Sequence, residues 1–240
     1  MFTTIVIQPL YNALIYIVNF LPGHQLWIAV IILTVIFKTI LIPLFKKQVK
    51  DQIVMNFLSP KLKEIQDKFK DKKDILAKET MALYGKYKVN PFVSILILII
   101  QLPFLIGLYQ IFYHDINNYK ELLYSFVAQP DFINHVFLGV NLTEKNYIFA
   151  AVAAISQYFL GAIMFKKKSE KEAAFESDMV RAMNVQMKYF LPLVMGFVSA
   201  ITPSVIALYL VVTNIFGIAQ ELLIKAPLEK QIRKDFEETK

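Results

Sequence analysis

Apolar residues are unevenly spread along this chain: long runs alternate with charged or polar stretches. A helix needs roughly 20 predominantly apolar residues to cross the hydrocarbon core of a bilayer. Four runs reach that length, Leu26 to Phe45, Phe92 to Tyr113, Tyr147 to Phe165 and Ser204 to Ile224. A fifth, Tyr189 to Ile201, is shorter and is joined to the last only by Thr202 and Pro203, so 189–224 reads as a tight helical hairpin whose two arms both cross. The pattern predicts an all-α integral membrane protein with a five-span helical core: spans at 26–45, 92–113 and 147–165, and two more within 189–224.

The stretches between the runs carry their own periodicity. In residues 1–25, Phe2 to Leu21 is apolar enough to cross, yet Gln8, Asn12 and Asn19 fall on one helical face. That stripe fits an N-terminal helix lying in the outer interface, while the length also allows an extra span. With no basic segment before it and no small-residue cleavage site after it, the run reads as a retained helix and not a removable signal. In residues 46–91, Leu58, Leu62, Ile65 and Phe69 form one narrow apolar stripe and Leu76, Leu83 and Tyr87 a second. Asp71, Lys72 and Lys73 separate the two stripes, and Asn90 and Pro91 end the second. This predicts an antiparallel helical hairpin outside the bilayer.

Charge gives the predicted orientation. Of 26 Lys and Arg residues, 23 lie in 46–88, 166–188 and 225–240; only Lys120 and Lys145 fall in the opposite loops, and Lys38 lies inside the first span. Basic residues concentrate on the cytoplasmic side of membrane proteins. The 46–91 hairpin, the 166–188 loop and the basic 225–240 tail are therefore expected in the cytoplasm, and 114–146 outside it. Composition agrees: 19% of residues are charged, against about 25% in soluble chains. The absence of cysteine removes disulfides, thiolate nucleophiles, Cys zinc sites and iron–sulfur clusters. His24, His114 and His135 lack metal-ligand spacing, and no nucleotide-binding, serine-hydrolase or zinc-protease motif occurs, so neither an enzyme nor a cofactor or metal is expected. The basic insert and tail, within a net charge of +7, point to anionic lipid, a ribosome or a protein partner, with no direct nucleic-acid specificity.

Lys38 is the most informative residue. It lies eight residues before Lys46, about 12 Å along a helix, while a lysine stem snorkels about 6 Å. An ionisable group at that depth normally faces protein or water. The spans hold no carboxylate except Glu221 at the end of the last, so the cation is open to an external anion. Thr34 shares its face, and Gln101 and Gln157 bring amides in the second and third spans. Each alone also fits interhelical glue; together with Lys38 they line a polar groove. Pro103 interrupts the second span two residues after Gln101. These residues also suit an anion site in a small-solute transporter or channel, although the chain shows no inverted repeat. A noncatalytic assembly subunit is a third reading.

The stretches TVIFKTILIPL, SPKLKEIQDKF, MALYGKYKVNP, IQLPFLIGLYQ and TPSVIALYLVVTN, in that order, resemble the YidC-type membrane protein insertases, which have mitochondrial and thylakoid relatives. The resemblance runs from about Ile5 to the end. It implies a groove open to cytoplasm and lipid through which membrane proteins insert and fold in the bacterial cytoplasmic membrane. Lys38, beside Thr34, would attract acidic or polar outer segments of the substrate, with Gln101 and Gln157 lining the groove. Leu102, Pro103, Leu105, Tyr209 and Leu210 would form a hydrophobic slide for the substrate helix. Nascent membrane proteins are the implied partners, with the Sec translocon, ribosome and targeting factors at the hairpin and tail. Two positions depart from the family pattern: lysine stands at 38 where arginine is usual, and Leu210 stands where a second aromatic is common. Lysine keeps the charge without the bidentate fork.

Overall fold

The computed structural model describes residues 1–90, 92–114, 116–164 and 186–238; most of the loop predicted at 166–188 lies outside them. Helix α1 (Gln8–Phe20) is extended at its start by a wider turn, Thr3–Ile7. Leu21 and Pro22 stop it, and Gly23 at φ 71° turns the chain into α2 (Leu26–Ile40), a left-handed conformation that a side chain would oppose. Then come α3 (Ile42–Phe57), α4 (Ser59–Lys68), α5 (Lys73–Lys86), α6 (Val93–Tyr113) and α7 (Tyr147–Met164). Beyond the undescribed residues lie α8 (Leu191–Ile201), α9 (Ser204–Gln220) and α10 (Ala226–Glu238), the last two joined through Glu221–Lys225.

Among the described residues three helices are long and apolar enough to cross a bilayer: Thr3–Phe20, Tyr147–Met164 and Ser204–Lys234. The bent pair α2 and α3 makes a fourth, and Ile99–Tyr113 and Lys188–Ile201 are apolar but shorter. The predicted first span, 26–45, differs from the structure at its end. Pro43 lacks the N–H that would bond back to Thr39, so α2 closes at Ile40 and turns 54° into α3.

One buried core joins α1, α2, α6 and α9. Leu14, Ile15, Val18, Leu26, Val30, Leu108, Ile111 and Ile206 are among its most enclosed side chains. Helices α7 and α8 flank it. They meet at Gly196, where an added Cβ would stand 2.8 Å from the Ala154 Cβ, an approach only glycine permits.

The loop at 114–146 is fastened to this core. The three polar residues of α1 all reach it: Gln8 Nε2 and Asn12 Nδ2 donate to the Leu122 carbonyl at 3.1 and 2.8 Å, and Asn19 Nδ2 donates to Ala128 O at 2.6 Å. The Tyr124 N–H donates to Asn12 Oδ1 at 2.7 Å. Leu26 N donates to Asn134 O at 3.0 Å, and a short β-hairpin pairs Val136–Phe137 with Val140–Asn141. The otherwise orphaned first N–H groups of α9 are met by loop carbonyls, Ser204 N by Glu144 at 2.7 Å and Val205 N by Leu142 at 3.0 Å.

A second, smaller core involves part of the predicted basic tail, 225–240. These residues begin a helix, α10, whose Leu228 and Ile232 pack with Val49, Ile53, Val54 and Leu58 of the α3 segment and Val89 after α5. Lys230, Arg233 and Lys234 are exposed, and the Arg233 guanidinium lies 5.6 Å from the centre of the Phe57 ring. Asp51, 5% exposed, accepts the Asn90 N–H at 3.3 Å and pins the exit of α5 to α3. Beyond that base α4 and α5 contain no buried residue. Lys61 Nζ donates to the Tyr87 hydroxyl at 2.8 Å across them, and this bond holds the phenol below its ordinary pKa.

Candidate functional site

Thr34 and Lys38 are four residues apart on α2, and Gln101 and Phe104 three apart on α6, so each pair shares a helix face. Where those faces meet α9, the Lys38 ammonium donates to Gln101 Oε1 at 2.9 Å, and Gln101 Nε2 donates to the Tyr209 hydroxyl. A lysine offers only donors, so the amide must turn its oxygen to Lys38 and its NH2 to Tyr209. The polar chain Lys38–Gln101–Tyr209 therefore has a fixed direction and ties three helices together. Beside it runs an aromatic row: Phe37 and Phe104 stack at 4.1 Å between ring centres, and Phe104 lies 5.5 Å from Tyr209.

Among the described residues no carboxylate pairs with Lys38; Glu221 pairs with Lys225 and Glu229 with Arg233. Pro103, two residues after Gln101, lacks the N–H that would bond back to the Ile99 carbonyl, so the helix ladder is interrupted there. The arrangement offers a partly buried cation at a three-helix seam, and an ammonium with one amide acceptor keeps donors for an anion.

The other sequence-predicted residues are dispersed. Thr34 is fully buried and returns its hydroxyl to Val30 O at 2.6 Å, so it supports the helix instead of facing open space. Gln157 sits partly buried on α7, and no hydrogen bond among the described residues joins it to the Lys38 chain. On that side Asn214, 2% exposed, donates to Ser156 Oγ at 2.9 Å and ties α9 to α7.

The five residues of the predicted slide do not share one surface. Leu102 is exposed, Pro103 and Leu105 are half-buried, and Tyr209 and Leu210 are enclosed at 1% and 6% exposure. The apolar surface of α6 is carried by Leu96, Ile99, Leu102 and Ile106. Phe37 and Phe104 escaped the sequence reading; their signal was position, next to Lys38 and one turn after Gln101.

A helical membrane protein with a partly buried cation at a three-helix seam is the class this geometry defines. A family model described as 60Kd inner membrane protein matches residues 17–231, and the chain belongs to that family. It is 30% identical over 213 residues to membrane protein insertase YidC 1 of Listeria monocytogenes, covering 87% of this chain and 67% of that protein. It is 32% identical over 205 residues to membrane protein insertase YidC of Clostridium tetani, covering 85% and 83%. Membrane protein insertase MisCA of Bacillus subtilis is 29% identical over 228 residues, 92% of this chain and 78% of that protein. The resemblance read from the sequence motifs stands.

Proposed function

We propose that this protein inserts membrane proteins and assists their folding, using no bound cofactor, with Lys38 drawing in the acidic or polar outer segment of the substrate. One observation carries the reading: the Lys38 ammonium, partly buried in an apolar helix, is held by an amide and meets no acid among the described residues. The family relationship supports it. Moving an aspartate to the bilayer centre costs about 2.5–3.5 kcal/mol. A unit cation about 4 Å away, at an effective dielectric of about 20, returns about 4 kcal/mol, enough to offset that barrier. Transfer of the substrate's apolar helix into lipid then drives the step at about 25 cal/mol per Å².

In this reading the groove opens to cytoplasm and lipid and Gln101 forms its polar wall, with Gln157 further along. Leu102 leads the slide with Pro103 and Leu105 beside it, while the enclosed Tyr209 and Leu210 support it from within the core. Helix α1 lies in the outer interface with the 114–146 loop on its polar face, the bonds of Gln8, Asn12 and Asn19 supporting this placement. The α4–α5 hairpin and α10 face the cytoplasm, where nascent chains, the ribosome, targeting factors, the Sec translocon and anionic lipid are met.

The test uses liposomes containing only this purified protein and a single-span substrate with an acidic outer segment. Protease protection of that segment should require the protein, persist in Lys38→Arg and be lost in Lys38→Glu. Equal protection by Lys38→Glu and wild type would remove the electrostatic role, and no protection by folded wild type would remove the insertase reading.

A further inference from the structure

We infer that Tyr209 is a positioning residue: buried away from any substrate path, its hydroxyl fixes the Gln101 amide, which in turn holds the Lys38 ammonium at depth. The inference rests on the insertase reading and adds a determinant of preference for acidic outer segments. Lys38 lies in the last turn of α2, two residues before Ile40. Untethered, its flexible stem would carry the charge toward the carbonyls of that turn and toward water, the ordinary course for a lysine near a helix end. Gln101 Oε1 at 2.9 Å opposes this. A primary amide rotated by half a turn would aim its NH2 at the ammonium and release it. The donor-only ammonium sets which way the amide faces, and the Tyr209 oxygen, accepting from Gln101 Nε2, anchors the arm so that Oε1 stays on Lys38 and does not swing away with the lysine stem.

The tyrosine is itself immobilised. Its ring is 1% exposed and lies 5.5 Å from Phe104, which stacks at 4.1 Å on Phe37, the residue before Lys38. The chain thus returns to α2 along two paths, one polar and one aromatic. Because Tyr209 is enclosed, its effect on a substrate passes through Gln101 and Lys38.

The experiment compares two single-span substrates that differ only in their outer segment, carrying aspartates or serines, inserted into liposomes containing wild type or variant. Tyr209→Phe keeps the ring and removes one oxygen. The ratio of aspartate-substrate to serine-substrate insertion should fall about five-fold, the weight of one hydrogen bond. Lys38→Arg in the same background should restore the ratio, because the guanidinium has five donors and does not depend on one acceptor. Gln101→Asn, which shortens the arm without touching the aromatic row, should give the same fall and serves if Tyr209→Phe does not fold.

An equal loss on both substrates would mark a merely structural tyrosine and overturn the inference, as would an unchanged ratio or failure of Lys38→Arg to rescue. Insertion of neither substrate by folded wild type would instead overturn the insertase reading itself.

Discussion

Replacing Asn12 by alanine isolates the fastening of the 114–146 loop to α1. Asn12 is 3% exposed; its Nδ2 donates to Gln8 O and Leu122 O, both at 2.8 Å, and its Oδ1 accepts the Tyr124 N–H at 2.7 Å. After truncation the Leu122 carbonyl keeps the Gln8 side chain at 3.1 Å, but the Tyr124 N–H loses its side-chain acceptor. An enclosed orphan donor costs about 1–3 kcal/mol, and the lost bonds to carbonyls bring the total to about 2–4 kcal/mol. For a chain of this size that corresponds to a fall in Tm of about 5–10 °C. Asn19→Ala removes a bond of 2.6 Å to the same loop, but an exposed one that water replaces, so it should cost within about 0.5 kcal/mol. Thermal unfolding in detergent, with limited proteolysis across 114–146, reads both variants. Equal shifts in the two, or no shift in Asn12→Ala, would refute the argument that burial makes this bond set decisive.

Gly196→Ala places a methyl 2.8 Å from the Ala154 Cβ, so α7 and α8 must part; a loss of about 1–3 kcal/mol should appear as a lower Tm. Gly107→Ala also meets a 2.8 Å contact, but with the mobile end of Leu10, and should cost less in the same measurement. Asn214→Leu removes the bond to Ser156 Oγ and should cost about 0.6–1.7 kcal/mol, the range for interhelical bonds in bilayers, with Ser156→Ala giving a similar loss by thermal unfolding. Ile232→Asp puts a charge into the smaller core; protease cleavage should rise within α10 and around Val89 while the core of α1, α2, α6 and α9 stays resistant.

Local pattern carried much of this molecule in the sequence and long-range pairing carried the remainder. Apolar runs foretold helices at 147–164 and 204–220, and Thr202 with Pro203 marked the break before α9, because run length and proline act on their own neighbourhood. Pro43 was equally visible, but an apolar run hides a bend. The second core was harder to see: Leu228 and Ile232 have helical spacing, yet nothing nearby identifies α3 as the surface they cover. Lys38 stood out by chemistry alone. Its partnership with Gln101 joins residues 63 apart and that of Gln101 with Tyr209 residues 108 apart, separations at which one sequence gives types and not pairs. Tyr209 was therefore placed on a slide surface, whereas its ring is enclosed.

The helix Ser204–Lys234 runs for 31 residues, about 46 Å, against a hydrocarbon core of about 30 Å. It carries Tyr209 near one end and, on its far portion, Leu228 and Ile232 against α3. A bulky label on α10 at Leu228 or Ile232 would consequently press on α3 at the foot of the α4–α5 hairpin. The far portion of this helix is thus a wall of the smaller core, and a perturbation there is felt at the hairpin's base.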